Sequence, residues 1–221
     1  KLTKEEFKEQ ILDGLMPPPA YFPQDVLLNI RGYEALDTIV ERGLKALGPD
    51  EFMKAADATD AIILDTRDAQ VFAKGFIPGS INIGIEGSFA VWAGTLIDSV
   101  DHPILIVAEP GKEKDAVIRL ARVGYDNTLG FLKGGFASWT AENRTADSIR
   151  SIDANDLYAA TLQGEQEILD VRKASEFNSE HLVGAINEPL DYICQSNLKL
   201  DKSKTYYVHC AAGYRSMIFI S

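Results

Sequence analysis

Short apolar runs and charged stretches alternate along most of the chain. Apolar runs rich in β-branched or aromatic residues lie at 61–65, 103–108, 167–171 and 205–210. Runs of this length between polar residues are typical of buried strands in a parallel sheet. Charged, helix-prone stretches separate them, and this alternation predicts an α/β fold in which a mostly parallel sheet is flanked by helices.

The same pattern occurs twice. The segment 62–83 (IILDTRDAQVFAKGFIPGSINI) recurs at 167–188 (EILDVRKASEFNSEHLVGAINE), and 103–116 recurs at 205–218. Identical residues recur at one constant offset: Asp65 with Asp170, Arg67 with Arg172, Phe72 with Phe177, Gly79 with Gly184 and Asn82 with Asn187. A constant offset over so many positions indicates that one unit was duplicated and that its copies then diverged.

The repeat divides the chain. We predict two α/β domains, at 49–140 (the first copy) and 152–221 (the second copy), joined by a polar linker at 141–151. The second copy has no counterpart of 130–139, so we expect it to be truncated and its sheet to have lost a strand.

Residues 1–48 belong to neither copy and are predicted to form a helical arm. Helical spacing occurs at 4–15 and 33–47, and the four prolines of 16–24 (MPPPAYFPQ) predict a break between the two helices. Because the chain begins with Lys1, we expect a piece of a longer protein in which the arm ends a preceding domain.

Composition narrows the classes of partner. The net charge of −11 argues against a nucleic-acid partner, which needs a basic face, and no apolar run approaches the roughly 20 residues that span a bilayer. Cys194 and Cys210 are too few for a disulfide framework and, with three histidines, make a poor metal set. We therefore expect a cytoplasmic protein whose fragment binds no cofactor or metal, and homo-oligomerisation is left open.

The segment 209–216 (HCAAGYRS) carries the candidate chemistry, because Cys210 follows a predicted strand and precedes a predicted helix. Backbone N–H groups at such a helix start favour negative charge, so they should lower the pKa of the thiol and hold a persulfide anion. Arg215 closes the loop and is expected to attract an anionic donor. The predicted anion-binding loop comprises Ala211, Ala212, Gly213, Tyr214 and Arg215.

The pattern DVR…EF…EHLVGAIN…VHCAAGYRS resembles the rhodanese superfamily, and the likeness covers 49–221. The resemblance implies that sulfane sulfur passes from thiosulfate or a low-molecular-weight persulfide to an acceptor, such as sulfite or a thiol, through a persulfide on Cys210. It also implies structural support from Asp170, Arg172 and His181. Considered as residues alone, Arg172 is expected to pair with a carboxylate, and His181 and His209 to be packed rather than to act as acid or base.

The first copy is expected to be inactive. Ala108 stands where Cys210 stands in the second copy, Glu113 replaces Arg215, Pro110 removes an amide donor, and Phe76 replaces His181. The degenerate site comprises Ala108, Glu109, Gly111 and Glu113. We expect the first copy to buttress the active copy or a missing neighbour, while a metal or acid–base pair of Glu109 and Glu113 is the lesser alternative.

The order of arm, inactive copy and active copy resembles the C-terminal region of multidomain persulfide dioxygenases. In those fusion proteins a metallo-β-lactamase-fold domain precedes the tandem copies, and the resemblance implies iron in that domain. No HxHxDH run occurs in this chain. The missing domain of the same protein is accordingly an expected partner, beside small sulfur donors and acceptors.

Two other functions stay open at this point. A cysteine followed by a closing arginine also describes the loops of phosphatases and arsenate reductases, but those that cradle a phosphate carry five residues between Cys and Arg, and four separate Cys210 from Arg215. A non-catalytic interaction module is the third reading, because the first copy lacks the nucleophile and the second is short. Cys194 has no comparable loop and is expected to be a bystander thiol.

Overall fold

The computed structural model describes residues 2–12, 18–19, 21–164 and 166–221. The helices are α1 Lys4–Leu12, α2 Tyr21–Arg31, α3 Leu36–Gly43, α4 Pro49–Thr59, α5 Ala69–Ala73, α6 Phe89–Leu96, α7 Glu113–Ala121, α8 Gly135–Ala141, α9 Ala154–Thr161, α10 Ala174–Ser179 and α11 Tyr214–Ile220, with a 3₁₀ helix at Leu190–Gln195. The strands are β1 Ala46–Leu47, β2 Ile62–Asp65, β3 Ile81–Asn82, β4 Ile104–Val107, β5 Thr128–Leu132, β6 Glu167–Asp170, β7 Ile186–Asn187 and β8 Tyr206–His209.

The first copy contains a five-stranded parallel sheet in the order β1-β5-β4-β2-β3. Side chains of a strand alternate between the two faces, and in β2 Ile63 belongs to one apolar cluster while Leu64 belongs to the other. One cluster includes residues of α6 and α7, and the other includes residues of α4 and α8. The sheet is therefore covered by helices on both faces, as the continuous apolar character of β4 predicts.

The second copy repeats the centre of that arrangement. Its sheet has three parallel strands in the order β7-β6-β8, which matches β3-β2-β4 of the first sheet. Counterparts of β1 and β5 are absent from the described part of this copy. The predicted α/β fold, in which mostly parallel strands are flanked by helices in two related units, is confirmed.

The proline-rich segment differs from the prediction of a break between two helices. Helix α2 begins at Tyr21 and includes Pro23 in its first turn. A proline is tolerated there because the first N–H groups of a helix have no partner within it. The prediction of a non-helical segment over 16–24 was therefore wrong from Tyr21 onward, while Met16, Pro17 and Ala20 lie outside the described residues.

The predicted helix over 33–47 is also shorter than expected. Helix α3 ends at Gly43, and Ala46–Leu47 pairs with β5 as an edge strand. The amide of Phe131 donates to the carbonyl of Lys45 over 2.9 Å. Tertiary pairing thus replaces helix at the end of this segment, and the predicted arm contributes a strand to the first sheet.

The two copies share one apolar core. Val171, Leu190 and Ile218 of the second copy are buried in the same cluster as Ile83 and Phe89 of the first. In the linker, Asp147 pairs with Phe76 in an isolated antiparallel bridge. In the described part of the chain, no helix is both long and apolar enough to cross a membrane.

Candidate active site

The strand ends of both copies carry the same polar framework. In the second copy, Arg172 donates through Nε to both oxygens of Asp170 and through Nη2 to the carbonyl of Glu180. Burial would raise the pKa of Asp170, but hydrogen bonds from Arg172 outweigh it, so that the pKa lies below its ordinary value. Asn187 donates from its side-chain amide to the carbonyls of Asp170 and Arg172. These side chains tie β6 to its neighbouring strand and to the loop beyond it.

The first copy has equivalent bonds. Arg67 donates to Asp65 and to the carbonyl of Gly75, and Asn82 donates to the carbonyls of Asp65 and Arg67. Because the copy without a cysteine keeps this framework, the framework holds the fold and does not distinguish an active site.

Cys210 lies between the end of β8 and the start of α11, half-buried. Its sulfur accepts hydrogen bonds from the backbone amides of Gly213 at 3.2 Å and Ser216 at 3.4 Å, and it lies 3.6 Å from the Ser216 hydroxyl. Gly213 adopts a φ of 85°, a conformation that glycine adopts without steric cost and that turns the loop into the helix. The small residues after Cys210 thus allow donors to converge on one sulfur.

This environment shifts the titration of the thiol. Burial is the largest single influence and would raise the pKa of Cys210, but the Ser216 hydroxyl and the amides of Ser216, Ala212 and Gly213 together outweigh it and lower the pKa. A lower pKa increases the thiolate fraction, and the thiolate is the nucleophile. Ala211 and Ala212 are exposed, so the loop is open to solvent.

Arg215 forms an ion pair with a carboxylate of its own copy. Its two terminal nitrogens donate to Glu176 on α10 over 2.6 and 2.8 Å. Glu176 is the first cause of the raised pKa of Arg215, and a charge on Cys210 also contributes. The charge of the Arg215 guanidinium is therefore paired with Glu176 and is not free for an incoming anion.

Tyr214 points away from the loop. Its hydroxyl donates to the carbonyl of Gly84 in the first copy over 2.7 Å. Only the backbone of Tyr214 belongs to the turn around Cys210. The predicted anion-binding loop therefore consists of backbone amides, with the Tyr214 side chain in the contact between the copies.

The two histidines near the site have different surroundings. His181 is exposed, its Nδ1 lies 2.8 Å from the carbonyl of Phe177, and its ring stacks on Phe177 at 3.9 Å. In the first copy Phe76 stacks on Phe72 at 4.2 Å in the same way, so this position supports packing in both copies. Nε2 of His209 lies 3.6 Å from Asp170, which is beyond hydrogen-bond distance.

The corresponding loop of the first copy keeps the turn but has no thiol. Gly111 has a φ of 88°, close to that of Gly213, but Ala108 is buried at the position that Cys210 occupies in the second copy. The Glu113 carboxylate accepts the amide hydrogen of Gly111 over 2.8 Å. The Gly111 amide thus binds a carboxylate of its own loop, whereas the equivalent amide of Gly213 binds the Cys210 sulfur. Glu109 is exposed in the same loop.

Two residues of this site were not assigned from the sequence. Ser216 contacts the sulfur through both its hydroxyl and its amide, and Glu176 binds Arg215. Ser216 ends the HCAAGYRS segment and was a visible signal, because a serine in the first turn of a helix can face the preceding loop. Glu176 had no such signal, since nothing in the sequence shows that α10 lies beside α11.

Comparison with known proteins identifies relatives over most of the chain. A rhodanese-like domain model matches residues 48–142 and 153–219. The uncharacterized protein YibN of Escherichia coli strain K12 is 30% identical over 101 residues, which cover 45% of this chain and 70% of that protein.

Two solved structures match the chain at low identity. Thiosulfate sulfurtransferase from Pseudomonas aeruginosa is 19% identical with a TM-score of 0.41, over 80% of this chain and 40% of that chain. SseA from Escherichia coli, described as a 3-mercaptopyruvate sulfotransferase, is 20% identical with a TM-score of 0.42, over 80% of this chain and 92% of that chain. The chain thus spans less than half the length of the Pseudomonas protein.

Proposed function

Because the chain belongs to the rhodanese-like domain family, we propose that it is a sulfurtransferase in which Cys210 carries sulfane sulfur as a persulfide. The observation that carries this proposal is the convergence of the Gly213 and Ser216 amides on the Cys210 sulfur, together with its lowered pKa. These donors stabilise a thiolate before the reaction and a persulfide anion after it.

The proposed reaction has two steps. In the first, the Cys210 thiolate attacks the outer sulfur of thiosulfate, a sulfur–sulfur bond forms to Cys210, and sulfite leaves with the electron pair of the broken bond. In the second, an acceptor thiolate or sulfite attacks the outer sulfur of the persulfide, and Cys210 leaves as a thiolate. No net oxidation occurs, and the nucleophile is a side chain of the protein.

The donor we propose is a small anion, either thiosulfate or a low-molecular-weight persulfide. The exposed Ala211 and Ala212 leave the loop accessible, and the amides supply partial positive charge. Since Glu176 binds Arg215, the attraction for the anion comes mainly from backbone donors and the α11 start. With four residues between Cys210 and Arg215, the loop suits one sulfur atom better than a tetrahedral oxyanion, which disfavours a phosphatase.

The proposed context is a cytoplasmic, persulfide-oxidising multidomain protein. The order of arm, inactive copy at 49–140, linker at 141–151 and active copy at 152–221 supports a preceding metallo-β-lactamase-fold domain as a partner within the same protein. We assign no cofactor to this chain, because sulfur transfer needs only the cysteine, and we place the iron of the parent protein in that preceding domain.

The test is the intact mass of the protein after incubation with thiosulfate and removal of the excess. We expect a gain of one sulfur atom that Cys210→Ala abolishes and that Cys194→Ser retains. Subsequent addition of cyanide or a thiol should return the original mass, because either nucleophile removes the outer sulfur.

Two other outcomes of this mass measurement would contradict the proposal. A folded protein that gains no sulfur would refute sulfur transfer by this chain and favour a non-catalytic scaffold. Retention of the added sulfur in Cys210→Ala would place the reactive thiol at Cys194, against the geometry of the loop.

A further inference from the structure

The Tyr214 side chain inserts into the first copy. Its hydroxyl donates to the Gly84 carbonyl, and burial raises the pKa of this phenol, so the hydroxyl stays a protonated donor at neutral pH. Tyr214 follows Gly213 and precedes Ser216 by two positions. The residue that contacts the inactive copy therefore lies between the two amides that face the Cys210 sulfur.

The surface that receives Tyr214 is built with two glycines. A Cβ at Gly84 would lie 3.2 Å from Cε2 of Tyr214, and one at Gly87 would lie 2.3 Å from its Cζ. Neither glycine has a φ in the left-handed region, so backbone conformation does not require glycine at these positions. The Tyr214 ring leaves no room for a Cβ at Gly87 and little room for one at Gly84. We call the space bounded by Gly84 and Gly87 the glycine slot.

The same face of α11 continues this contact. Met217 is buried with Phe72 and Ala73 of α5, and Ile218 lies in the shared core. The Ser221 hydroxyl accepts a hydrogen bond from the backbone amide of Asn82 over 2.9 Å. Positions 214, 217, 218 and 221 repeat at helical spacing and so lie on one side of the helix. The first copy thus supports α11 from its first residue to its end.

We propose that the inactive copy positions the reactive loop, with Tyr214 in the glycine slot as the positioning residue. Fixing Tyr214 fixes the adjacent turn, and this keeps the Gly213 and Ser216 amides within hydrogen-bond distance of Cys210. The consequence for sulfur transfer rests on the proposed function, but the effect on the Cys210 thiol does not.

The test is the pH dependence of Cys210 alkylation by iodoacetamide, measured by mass spectrometry in the full chain carrying Cys194→Ser. Gly87→Ala places a methyl group where the Tyr214 ring lies and should displace it. We expect the thiol pKa to rise toward its ordinary value and alkylation at neutral pH to slow by about threefold or more, because less thiolate is present. Gly48→Ala is the matched control, since no atom lies within 4 Å of the Cβ it adds.

Two further variants keep the test decisive if Gly87→Ala folds poorly. Tyr214→Phe removes only the hydroxyl and should change alkylation in the same direction by a smaller factor, whereas Tyr158→Phe, at an exposed position of α9, should not. In a Tyr214→Ala background, Gly87→Ala should have no additional effect on the pH profile, because both changes act through the same contact.

The outcomes separate this inference from the proposed function. Unchanged alkylation profiles in Gly87→Ala and Tyr214→Phe would overturn the positioning role, even if Cys210 accepts sulfur. A shifted profile in a protein that takes up no sulfur would support the positioning role and refute the sulfurtransferase. An additive effect of Gly87→Ala in the Tyr214→Ala background would also overturn it, since the glycine would then act by another route.

Discussion

At the scale of single residues, the two copies differ less in backbone shape than in the side chains of their loops. Gly111 and Gly213 adopt the same left-handed turn. Directly after the strand, the first copy has the methyl group of Ala108 and the second copy has the thiol of Cys210. The amide of Gly111 binds the Glu113 carboxylate, whereas the amide of Gly213 faces sulfur. The two loops therefore differ in a few side chains on a retained turn.

The Ser216 hydroxyl should matter for the reactivity of Cys210. It is the largest of the influences that lower the pKa of the thiol. In the structure this hydroxyl accepts from the thiol and donates to the Gly213 carbonyl, and when Cys210 loses its proton the hydroxyl can turn to donate to the thiolate. We expect Ser216→Ala to raise this pKa and to slow alkylation at neutral pH by about tenfold, since a hydrogen bond to a charged group contributes about 1.5 kcal/mol or more. The measurement is the rate of iodoacetamide alkylation against pH in the Cys194→Ser background.

The control for this prediction is Ser138→Ala, whose hydroxyl donates to the Gly135 carbonyl within the first copy. Its alkylation profile should match that of the unmodified sequence. If Ser216→Ala leaves the profile unchanged as well, the backbone amides alone set the pKa of Cys210.

At the scale of secondary-structure elements, an ion pair connects α10 to α11. The bidentate contact between Arg215 and Glu176 holds the helix after the Cys210 loop against the helix after β6. Hydrogen bonding from Arg215 is the main cause that lowers the pKa of Glu176 to about 2. The pair therefore remains charged well into the acid range.

This ion pair predicts a pH dependence of stability. Because the folded state lowers the pKa of Glu176 from its ordinary 4.5 to about 2, the contribution of the pair is fully present above the ordinary pKa. It is lost as the pH falls from about 4.5 to about 2. We expect Glu176→Gln to lower the free energy of unfolding at neutral pH by about 1 kcal/mol or less and to make its decline with acid less steep. Urea unfolding at a series of pH values measures both effects.

Glu180→Gln is the matched control, since this carboxylate of the same region forms no ion pair within the described residues. Its pH profile should keep the slope of the unmodified sequence. Equal slopes for Glu176→Gln and the unmodified sequence would show that the pair contributes no stability in solution.

At the scale of the whole molecule, the second copy depends on the first. Its sheet has three strands where the first has five, and its buried side chains Val171, Leu190 and Ile218 belong to a core that includes Trp92 of the first copy. A small sheet gains stability from apolar area buried against a neighbour. The two copies should therefore unfold together.

A cavity made in the second copy should also destabilise the first copy. Leu190 is fully buried, and we expect Leu190→Ala to reduce the free energy of unfolding by about 2 to 5 kcal/mol. The tryptophans, Trp92 and Trp139, both lie in the first copy, so their fluorescence reports its unfolding. The urea concentration at the midpoint of the fluorescence transition should fall by the same amount as the midpoint measured by far-ultraviolet circular dichroism.

Val183→Ala is the control for this prediction, because Val183 is 98% exposed and its truncation leaves no cavity. A fall in the dichroism midpoint without a fall in the fluorescence midpoint would contradict a shared core and show that the copies unfold separately.

Much of the fold was predictable because its signals are local. Strand positions at 61–65 and 103–108 follow from apolar runs, and the repeat identifies two copies without any three-dimensional information. One error came where a non-local contact overrides local preference, since pairing with β5 made Ala46–Leu47 a strand. The other was local, because the first turn of α2 tolerates Pro23.

The sequence by itself determined the fold class, the duplication, and the candidate nucleophile with its turn, since strand periodicity, the repeat and the small residues after Cys210 are all local features. Only the tertiary structure decided which groups surround that thiol. In the folded chain, Arg215 pairs with Glu176, and Tyr214 inserts into the glycine slot of the first copy. These contacts join residues far apart in sequence. The order of apolar and polar residues does not show which helices lie side by side, because that depends on how the helices pack.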